Sequence, residues 1–242
     1  MTKRLILLAV LLLGFTSTGG IVQFNAVTAA AGGQTFADDF SGDLSKWANT
    51  TNWEISDGTL GTSTPANLLI VYGTATDTAS QYAAFKISTW GEPGYGPAVR
   101  IPDTAPGAGD WNYTVEPWSD GNAYVILNTG NTYSQDIASC AITAATGNSI
   151  GIDVAGTSTG TTINVYYWSA QSPPARASWG SPACVYKMDG TACSYASPAT
   201  ACACLQTDCV PSNYANTGLY VGIADQTAYV TLLDDFAAGD IP

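Results

Sequence analysis

The chain contains no histidine. This absence excludes a Ser-His-Asp triad, a Cys-His pair and polysaccharide oxidases that bind copper through histidine, because each of these sites needs an imidazole. A zinc site built on the Cys-x-Cys and Cys-x4-Cys spacings at 202–209 is disfavoured for the same reason.

Residues 1–31 are predicted to be a secretory signal peptide. Lys3 and Arg4 precede the apolar run LILLAVLLLGF at 5–15, and AAA at 29–31 is a small-residue cleavage site. The run is shorter than the roughly 20 residues that span a bilayer, so we expect no stable membrane insertion after cleavage. An uncleaved anchor is the alternative, because a long stretch separates the run from AAA. We therefore expect a secreted protein that is extracellular or lies at the cell surface.

Charge is scarce, and basic charge is the scarcest. Charged residues make up 11% of the chain, against about a quarter in ordinary globular proteins. With residues 1–31 removed, five basic and nineteen acidic residues give a formal charge of −14. Such a surface repels phosphate, so nucleic acid is excluded as a partner, and attraction to anionic lipid is disfavoured.

Helical periodicity and internal repeats are also lacking outside the signal peptide. Apolar residues instead alternate with polar ones, as in TTINVYYW (161–168), NSIGIDVA (148–155) and TGLYVGIA (217–224), which is typical of half-buried strands. Similar patterns predict strands at 68–73, 80–88, 96–102, 110–117, 121–128 and 226–236, separated by glycine-containing turns. The predicted fold is all-β, a two-sheet antiparallel jelly-roll sandwich that forms a single domain over 32–242.

One segment, residues 170–213, breaks the alternation and is rich in Pro, Ser, Ala and Cys. We expect it to be an irregular insertion between two strands, stapled by disulfides, since an even number of cysteines behind a signal peptide indicates disulfide bonds. Six cysteines allow 15 pairings, and the sequence does not choose among them. The expected disulfide cysteines are Cys140, Cys184, Cys193, Cys202, Cys204 and Cys209.

Six short motifs follow one another in a characteristic order along the chain. They are DDFSGDLSKW (38–47), WEISDGTL (53–60), GPAVRI (96–101), NSIGIDVAG (148–156), NTGLYVGI (216–223) and LLDDFAAGD (232–240). In this order, over nearly all of 36–240, they resemble the laminin G-like jelly-roll branch of the concanavalin A-like lectin/glucanase superfamily. The resemblance implies that the first and last strands lie side by side, with Phe40 and Phe236 in the core. The insertion at 170–213 departs from the family pattern.

The same resemblance implies a structural calcium ion near the paired terminal strands. Its candidate ligands are Asp38, Asp39, Asp234 and Asp235, since calcium takes carboxylate oxygens and would relieve their mutual repulsion. The alternative is that these are solvated aspartates at a strand edge. The sequence DDF, which occurs at 38–40 and again at 234–236, would then reflect packing alone.

Catalytic carboxylates are not evident. Glucanase members of the superfamily carry a Glu-x-Asp-x-x-Glu arrangement, and none of Glu54, Glu92 and Glu116 stands in one. We therefore assign no catalytic residue. A glycoside hydrolase with a non-standard carboxylate pair, assembled from distant aspartates, remains an alternative.

Aromatic residues are plentiful, with seven Trp and thirteen Tyr. Trp90, Trp118 and Trp179 fall in predicted loops and are candidate ligand-binding residues, together with Tyr95 and Arg100. We expect a secreted, non-catalytic β-sandwich domain that binds carbohydrate or acts in adhesion. The alternative is a self-associating structural subunit of an extracellular surface layer or filament, for which the abundant Thr, Ser, Asn and Tyr are also suitable.

Overall fold

The computed structural model describes residues 33–63, 68–91, 94–107, 110–129, 132–156, 161–188, 201–202, 218–225 and 231–241. Within these ranges the chain forms sixteen strands and two short 3-10 turns, at Leu44–Lys46 and Arg176–Ser178. The strands are β1 (Thr35–Asp38), β2 (Trp47–Ala48), β3 (Trp53–Ser56), β4 (Thr59–Thr62), β5 (Leu68–Tyr72), β6 (Gln81–Thr89), β7 (Tyr95–Ile101), β8 (Trp111–Pro117), β9 (Asn122–Thr129), β10 (Thr132–Ala141), β11 (Ser149–Ala155), β12 (Thr161–Trp168), β13 (Cys184–Met188), β14 (Ala201–Cys202), β15 (Tyr220–Asp225) and β16 (Leu232–Asp240).

These strands form two sheets packed face to face. The large sheet has nine of the described strands in the order β14-β13-β12-β11-β6-β16-β4-β3, with β1 also beside β16. The small sheet has the other seven, in the order β10-β9-β8-β7-β15-β5-β2. Apart from the short parallel pair β13–β14, neighbouring strands run antiparallel, so the predicted all-β two-sheet antiparallel sandwich is confirmed. No described helix is both long and apolar enough to cross a membrane.

The core lies between the sheets and is built by alternation on both of them. Phe85 and Ile152 on the large sheet, and Val115 and Val125 on the small sheet, belong to one buried apolar cluster. Because successive side chains of a strand point to opposite faces, every second residue of these strands lies on the outer face of its sheet.

The two ends of the chain pair with each other. Strand β1 runs antiparallel to β16, with Asp38 opposite Phe236. Phe40 and Phe236 are both buried, and the Trp47 ring lies between them, with centroid distances of 5.9 and 4.9 Å. The Trp47 indole Nε1–H donates to Asp38 Oδ2 at 2.9 Å. The DDF segments thus close the domain through aromatic packing, as the sequence predicted.

A second aspartate, Asp240 at the end of β16, fixes the same junction. Its Oδ2 accepts hydrogen bonds from the backbone N–H groups of Gln34 at 2.7 Å and Asp77 at 2.9 Å. Its Oδ1 accepts from the backbone N–H and the hydroxyl of Thr78, at 2.7 and 2.8 Å. Since Asp240 is buried, this carboxylate joins the chain start, the loop before β6 and the last strand.

The Cys140–Cys184 disulfide joins the two sheets at one edge. Cys140 belongs to β10 of the small sheet, and Cys184 belongs to β13 of the large sheet. Beside it, the Tyr186 hydroxyl donates to the Ser139 carbonyl at 2.5 Å. The bridge therefore connects the sheets rather than stapling the insertion to itself. The other predicted disulfide cysteines, Cys193, Cys202, Cys204 and Cys209, lie outside the residues whose side chains are described.

The predicted insertion at 170–213 needs correction where the structure describes it. Residues 184–188 form strand β13, which pairs with β12. Val185 and Tyr186 therefore extend the large sheet into the segment that was predicted to be an insertion. Residues 169–183 are irregular and cross the outer face of the large sheet. They carry Trp179, which is 3% exposed, onto the rings of Tyr82, Tyr166 and Trp168. Residues 189–200 and 203–217 lie outside the described part.

Candidate functional site

A row of polar side chains lies on the outer face of the small sheet. Strand β8 sends Tyr113 and Val115 into the core, so Asn112, Thr114 and Glu116 lie on the opposite face. All three nevertheless have no solvent exposure. Buried polar groups are nearly always hydrogen-bonded, so the partners of this polar row (Asn112, Thr114 and Glu116) are informative.

The hydrogen bonds of the polar row run in one direction and end on the glutamate. Asn128 of β9 donates from Nδ2 to the Thr114 hydroxyl at 3.1 Å, and it also reaches Asn112 Oδ1 at 3.5 Å. The Thr114 hydroxyl donates in turn to Glu116 Oε1 at 3.1 Å. Glu116 Oε2 is buried and has no hydrogen-bond partner among the residues that the structure describes. Within this part of the chain, the row therefore ends in an unsatisfied oxygen.

The surroundings of Glu116 favour the protonated form of its carboxyl group. Burial raises its pKa well above the ordinary value, and the nearby charges of Asp225 and Asp136 raise it further. The hydrogen bond from Thr114 acts in the opposite direction and does not offset the loss of hydration. A protonated carboxyl both donates and accepts hydrogen bonds, which suits it to hydroxyl groups.

Two aromatic rings stand next to the glutamate at the β8–β9 hairpin. Tyr124 lies directly opposite Glu116 in the strand register, and the Trp118 ring meets the Tyr124 ring edge-on at 6.0 Å. The Tyr124 hydroxyl donates to Asp120 Oδ2 at 2.6 Å. Trp118 is half-buried, and its Nε1–H is a buried donor that finds no acceptor in the described part of the chain. A hydrogen-bond donor and a carboxyl group, both unsatisfied, therefore lie two residues apart along the chain.

The hairpin backbone fixes the position of Trp118. The Trp118 N–H donates to the Asn122 carbonyl at 2.7 Å, and the Gly121 N–H donates back to the Trp118 carbonyl at 3.3 Å. Gly121 has a φ of +85°, a conformation that glycine adopts without strain. This turn holds the indole at the end of the polar row.

Gly96 of β7 lies directly beside Glu116. A Cβ on Gly96 of β7 would lie 2.6 Å from Glu116 Cγ and 2.5 Å from the Val115 carbonyl oxygen. Only glycine therefore lets β7 run this close to the glutamate. The next positions along this face form a small buried apolar cluster, Leu69, Val71, Ala98, Ile101 and Ala224.

Of the predicted ligand-binding residues, the structure places Trp118 beside the polar row. Trp90 is half-buried and packs against the core beyond β6, and its backbone N–H donates to Thr146 Oγ1 at 2.9 Å. Tyr95 is a core residue whose ring meets Trp53 edge-on at 6.0 Å and whose hydroxyl lies 2.6 Å from Thr62 Oγ1. Burial raises the pKa of Tyr95.

Arg100 and Trp179 are not exposed either. Arg100 has no solvent exposure, and its Nε donates to the Ala79 carbonyl at 2.8 Å. Its φ of +58° breaks the alternation of β7, so Val99 enters the main core and Ile101 lies on the outer face. Burial lowers the pKa of Arg100. The expected loop exposure of Trp179 is wrong, because the ring packs beneath residues 169–183 against the large sheet.

Arg176 explains why Trp179 is buried. Its guanidinium lies 4.7 Å from the Trp179 ring centroid and 5.6 Å from that of Tyr166. It also bonds the buried Asp153 at 2.5 Å. Burial raises the pKa of Asp153, and the hydrogen bonds from Tyr166 and Asn164 and the charge of Arg176 act to lower it. This cluster fixes residues 169–183 to the large sheet.

The four terminal aspartates have partners within the protein. Asp38 accepts from the Phe40 N–H and the Trp47 indole, whereas Asp39 accepts from Ser41. Lys86 Nζ lies 3.9 Å from Asp234 and 3.6 Å from Asp235. In the described ranges, no three acidic, cysteine or histidine side chains are grouped to hold a metal ion. Calcium binding at these aspartates stays a prediction.

Comparison with known proteins adds the following. No protein-family model matches the chain, and no curated protein matches it. Among solved structures it is similar to carbohydrate-binding module CBM66 from Bacillus subtilis, with 8% identity and a TM-score of 0.47, over 81% of this chain and 96% of that one. Peanut lectin with a 9mer peptide gives 8% identity and a TM-score of 0.42, over 86% and 97% of the two chains.

A xylan β-1,4-xylosidase from Bacillus halodurans C-125 is similar at 13% identity and a TM-score of 0.45. The match covers 84% of this chain and 39% of the xylosidase. With identities this low and TM-scores of 0.47 or less, the sandwich is established by the strand pairing rather than by these similarities.

Proposed function

We propose that this protein is a secreted, non-catalytic, lectin-like carbohydrate-binding domain. Its ligand lies at the β8–β9 hairpin on the outer face of the small sheet, against the half-buried rings of Trp118 and Tyr124 beside the buried Glu116. The observation that carries this proposal is the pair of unsatisfied polar atoms, Glu116 Oε2 and Trp118 Nε1, next to an aromatic pair on a face that is not the core.

Sugar chemistry matches this combination of groups. A pyranose ring has an apolar C–H face that packs on an aromatic ring, and its hydroxyl groups both donate and accept hydrogen bonds. Small-molecule sites typically join apolar surface to a few fixed polar groups. Here Tyr124 is tied to Asp120 and Trp118 is tied to the hairpin backbone, so both rings are held before a ligand arrives.

Binding is favoured over hydrolysis by the composition of the polar row. A retaining glycosidase needs two carboxyl groups about 5–5.5 Å apart, one as acid and one as nucleophile. The neighbours of Glu116 in the polar row are an amide and a hydroxyl, Asn112 and Thr114. The carboxyls whose charges act on Glu116 lie on other strands: Asp136 on β10, and Asp225 on β15, where it accepts a hydrogen bond from Thr62. We therefore assign Glu116 a hydrogen-bonding role.

Thermal melts across a panel of soluble glycans test the proposal. A ligand that binds only the folded state raises the melting midpoint by mass action. We expect at least one glycan to raise the midpoint of the wild type and to leave that of Trp118→Ala unchanged. Trp111→Ala, a change at the first residue of β8 and against the core, is the matched control and should keep the glycan response. Each variant is compared with its own ligand-free midpoint.

Two results would count against a carbohydrate site here. If no glycan shifts the midpoint while light scattering shows concentration-dependent assembly, the protein is a structural subunit instead. If reducing ends appear in the glycan panel, it is a hydrolase.

Secretion is a separate part of the proposal and rests on the signal peptide predicted at 1–31. Expression of the full chain in a secreting host, followed by N-terminal sequencing of the protein in the medium, should give a mature chain starting at residue 32. Retention of the protein with an intact Met1 in the cell would contradict secretion.

A further inference from the structure

Three large aromatic rings lie on the outer face of the large sheet. Strands β6 and β12 send their alternate residues into the core, which leaves Tyr82, Tyr166 and Trp168 on the opposite face. The strand between them carries no bulk at this level: a Cβ on Gly151 of β11 would lie 3.0 Å from the Trp168 ring and 3.1 Å from the Ala84 Cβ. The Trp168 ring can therefore lie close to the sheet, nearly parallel to the Tyr166 ring, with the centroids 5.8 Å apart.

The chain's own guanidinium group occupies this face. Arg176 Cζ lies 4.7 Å from the centroid of the Trp179 ring. The centroids of Tyr166 and Tyr82 lie 5.6 and 5.8 Å from the same atom. On the sheet side, Arg176 Nη2 donates to Asp153 Oδ2 at 2.5 Å. Aromatic faces and a carboxylate are the groups that attract organic cations in proteins, and we call Tyr82, Tyr166, Trp179 and Asp153 the cation cage.

Asp153 is held in position by the sheet itself. Its Oδ1 accepts from Asn164 Nδ2 at 2.6 Å, and its Oδ2 accepts from the Tyr166 hydroxyl at 2.8 Å. Both donors belong to β12, which pairs with the strand of Asp153. The side chain of Asp153 is 1% exposed, and a buried charge without a partner is unfavourable. The carboxylate therefore stays directed toward the cage whichever cation fills it.

Arg176 is held less completely than Trp179, although both side chains fix residues 169–183 to this face. The Trp179 ring is 3% exposed, and its Nε1–H donates to the Pro174 carbonyl of the same segment at 2.9 Å. The Arg176 side chain is 21% exposed, and its buried Nε–H meets no acceptor within the ranges given above. A buried donor left unpaired is unfavourable. Arg176 can thus turn toward solvent while Trp179 keeps the segment in place.

From these contacts we infer that the outer face of the large sheet is a binding site for small organic cations, above all guanidinium groups, which the chain closes with its own Arg176. An external cation and the Arg176 side chain then exclude each other at Asp153. The site lies on the other sheet from the proposed glycan site, and the inference does not depend on carbohydrate binding.

Arg176→Ala opens the cage, and methylguanidinium is the probe. In the wild type the tethered side chain competes with the probe, so only the fraction of molecules whose cage is vacant can bind it. We expect calorimetric titration to give at least about tenfold tighter binding to Arg176→Ala than to the wild type. N-Methylurea has nearly the same shape without the charge and should bind the variant at least about tenfold more weakly than methylguanidinium.

Thermal melts give an independent readout of the same site. Arg176→Ala leaves the buried Asp153 charge without a partner and should melt below the wild type. Millimolar methylguanidinium should raise the midpoint of the variant and not that of the wild type, which also controls for a general denaturing effect. If Arg176→Ala fails to fold, Arg176→Gln, whose amide can still donate to Asp153, is titrated in its place and should also bind methylguanidinium more tightly than the wild type.

Two controls separate the cation cage from an ordinary ion pair. Arg176→Ala combined with Asp153→Asn should bind methylguanidinium at least about tenfold more weakly than Arg176→Ala alone. Lys86→Ala removes the cation beside Asp234 and Asp235 of the same sheet, which are not part of the cage, and should gain no binding.

Four results would each overturn the inference. They are equal affinities of the wild type and the opened variant for methylguanidinium, equal affinities of that variant for methylguanidinium and N-methylurea, undiminished affinity after Asp153→Asn, and a gain in Lys86→Ala as large as that in Arg176→Ala.

Discussion

Glu116 gives a prediction about stability that needs no ligand. Because burial raises its pKa in the folded state, the native protein holds a proton that the unfolded chain releases above the ordinary glutamate value of 4.5. The free energy of unfolding must therefore fall as pH rises from there to the raised pKa. Below 4.5 both states are protonated, and the effect is absent.

The expected magnitude follows from proton linkage. One extra proton on the native state gives a slope of about 1.4 kcal/mol per pH unit while pH lies between the two pKa values. Between pH 5 and 7 the loss is therefore up to about 2.7 kcal/mol. The chain has no histidine, so no imidazole titration overlaps this window.

Glu116→Gln isolates the effect. Glutamine keeps an acceptor for the Thr114 hydroxyl and cannot ionise, whereas Asp153 and Asp234, whose pKa values are also raised, titrate in both proteins and cancel in the difference. In urea unfolding at pH 5, 6 and 7, the free energy of unfolding of the variant should increase relative to that of the wild type at each step. Parallel pH dependences of the two proteins would refute the assignment of a neutral buried carboxyl.

Three further predictions concern what holds the sandwich together. Replacing Cys140 and Cys184 together by alanine removes a disulfide whose cysteines are 44 residues apart. The free energy of unfolding, measured with urea, should fall by about 4 kcal/mol because the unfolded chain gains loop entropy. A fall below about 1 kcal/mol would show that the disulfide adds little stability. Asp240→Asn places an amide N–H₂ against backbone N–H donors and should lower the free energy of unfolding by about 2–4 kcal/mol. Asp39→Asn, at an exposed position, is the control. Equal losses of stability in the two variants would contradict the role given to Asp240. If the terminal aspartates bind calcium, as predicted, EDTA should lower the melting midpoint and added calcium should restore it; a midpoint that neither changes would show that the repeated DDF reflects packing alone.

Much of the fold follows from local alternation, and the exceptions have local causes. The strand predicted at 161–168 is β12, and that at 110–117 is β8 from residue 111. Strand β10 was missed, because register shifts at 133/135 and 136/138 interrupt its period of two. Strand β13 lies within the segment predicted to be an insertion, because a stretch rich in proline precedes it. Its place in the large sheet depends on pairing with β12 and on the Cys140–Cys184 bridge.

The site was harder to predict than the fold. Trp118 could be selected from the sequence because a tryptophan in a turn has an uncommon position. Glu116 could not, because its alternation with Tyr113 and Val115 places it on the non-core face, where a charged residue is ordinarily solvated. Its burial depends on strands that are distant in sequence, and Gly96 is informative only once the register brings it beside the glutamate.

The most direct test of the account is a calorimetric titration of the best-binding glycan from the panel into the wild type, Trp118→Ala and Trp111→Ala. The account predicts that binding is lost in Trp118→Ala, since this change removes the indole surface on which the sugar ring packs, and that it is retained in Trp111→Ala. Undiminished binding by a folded Trp118→Ala would show that the outer face of the small sheet at the β8–β9 hairpin is not the ligand site.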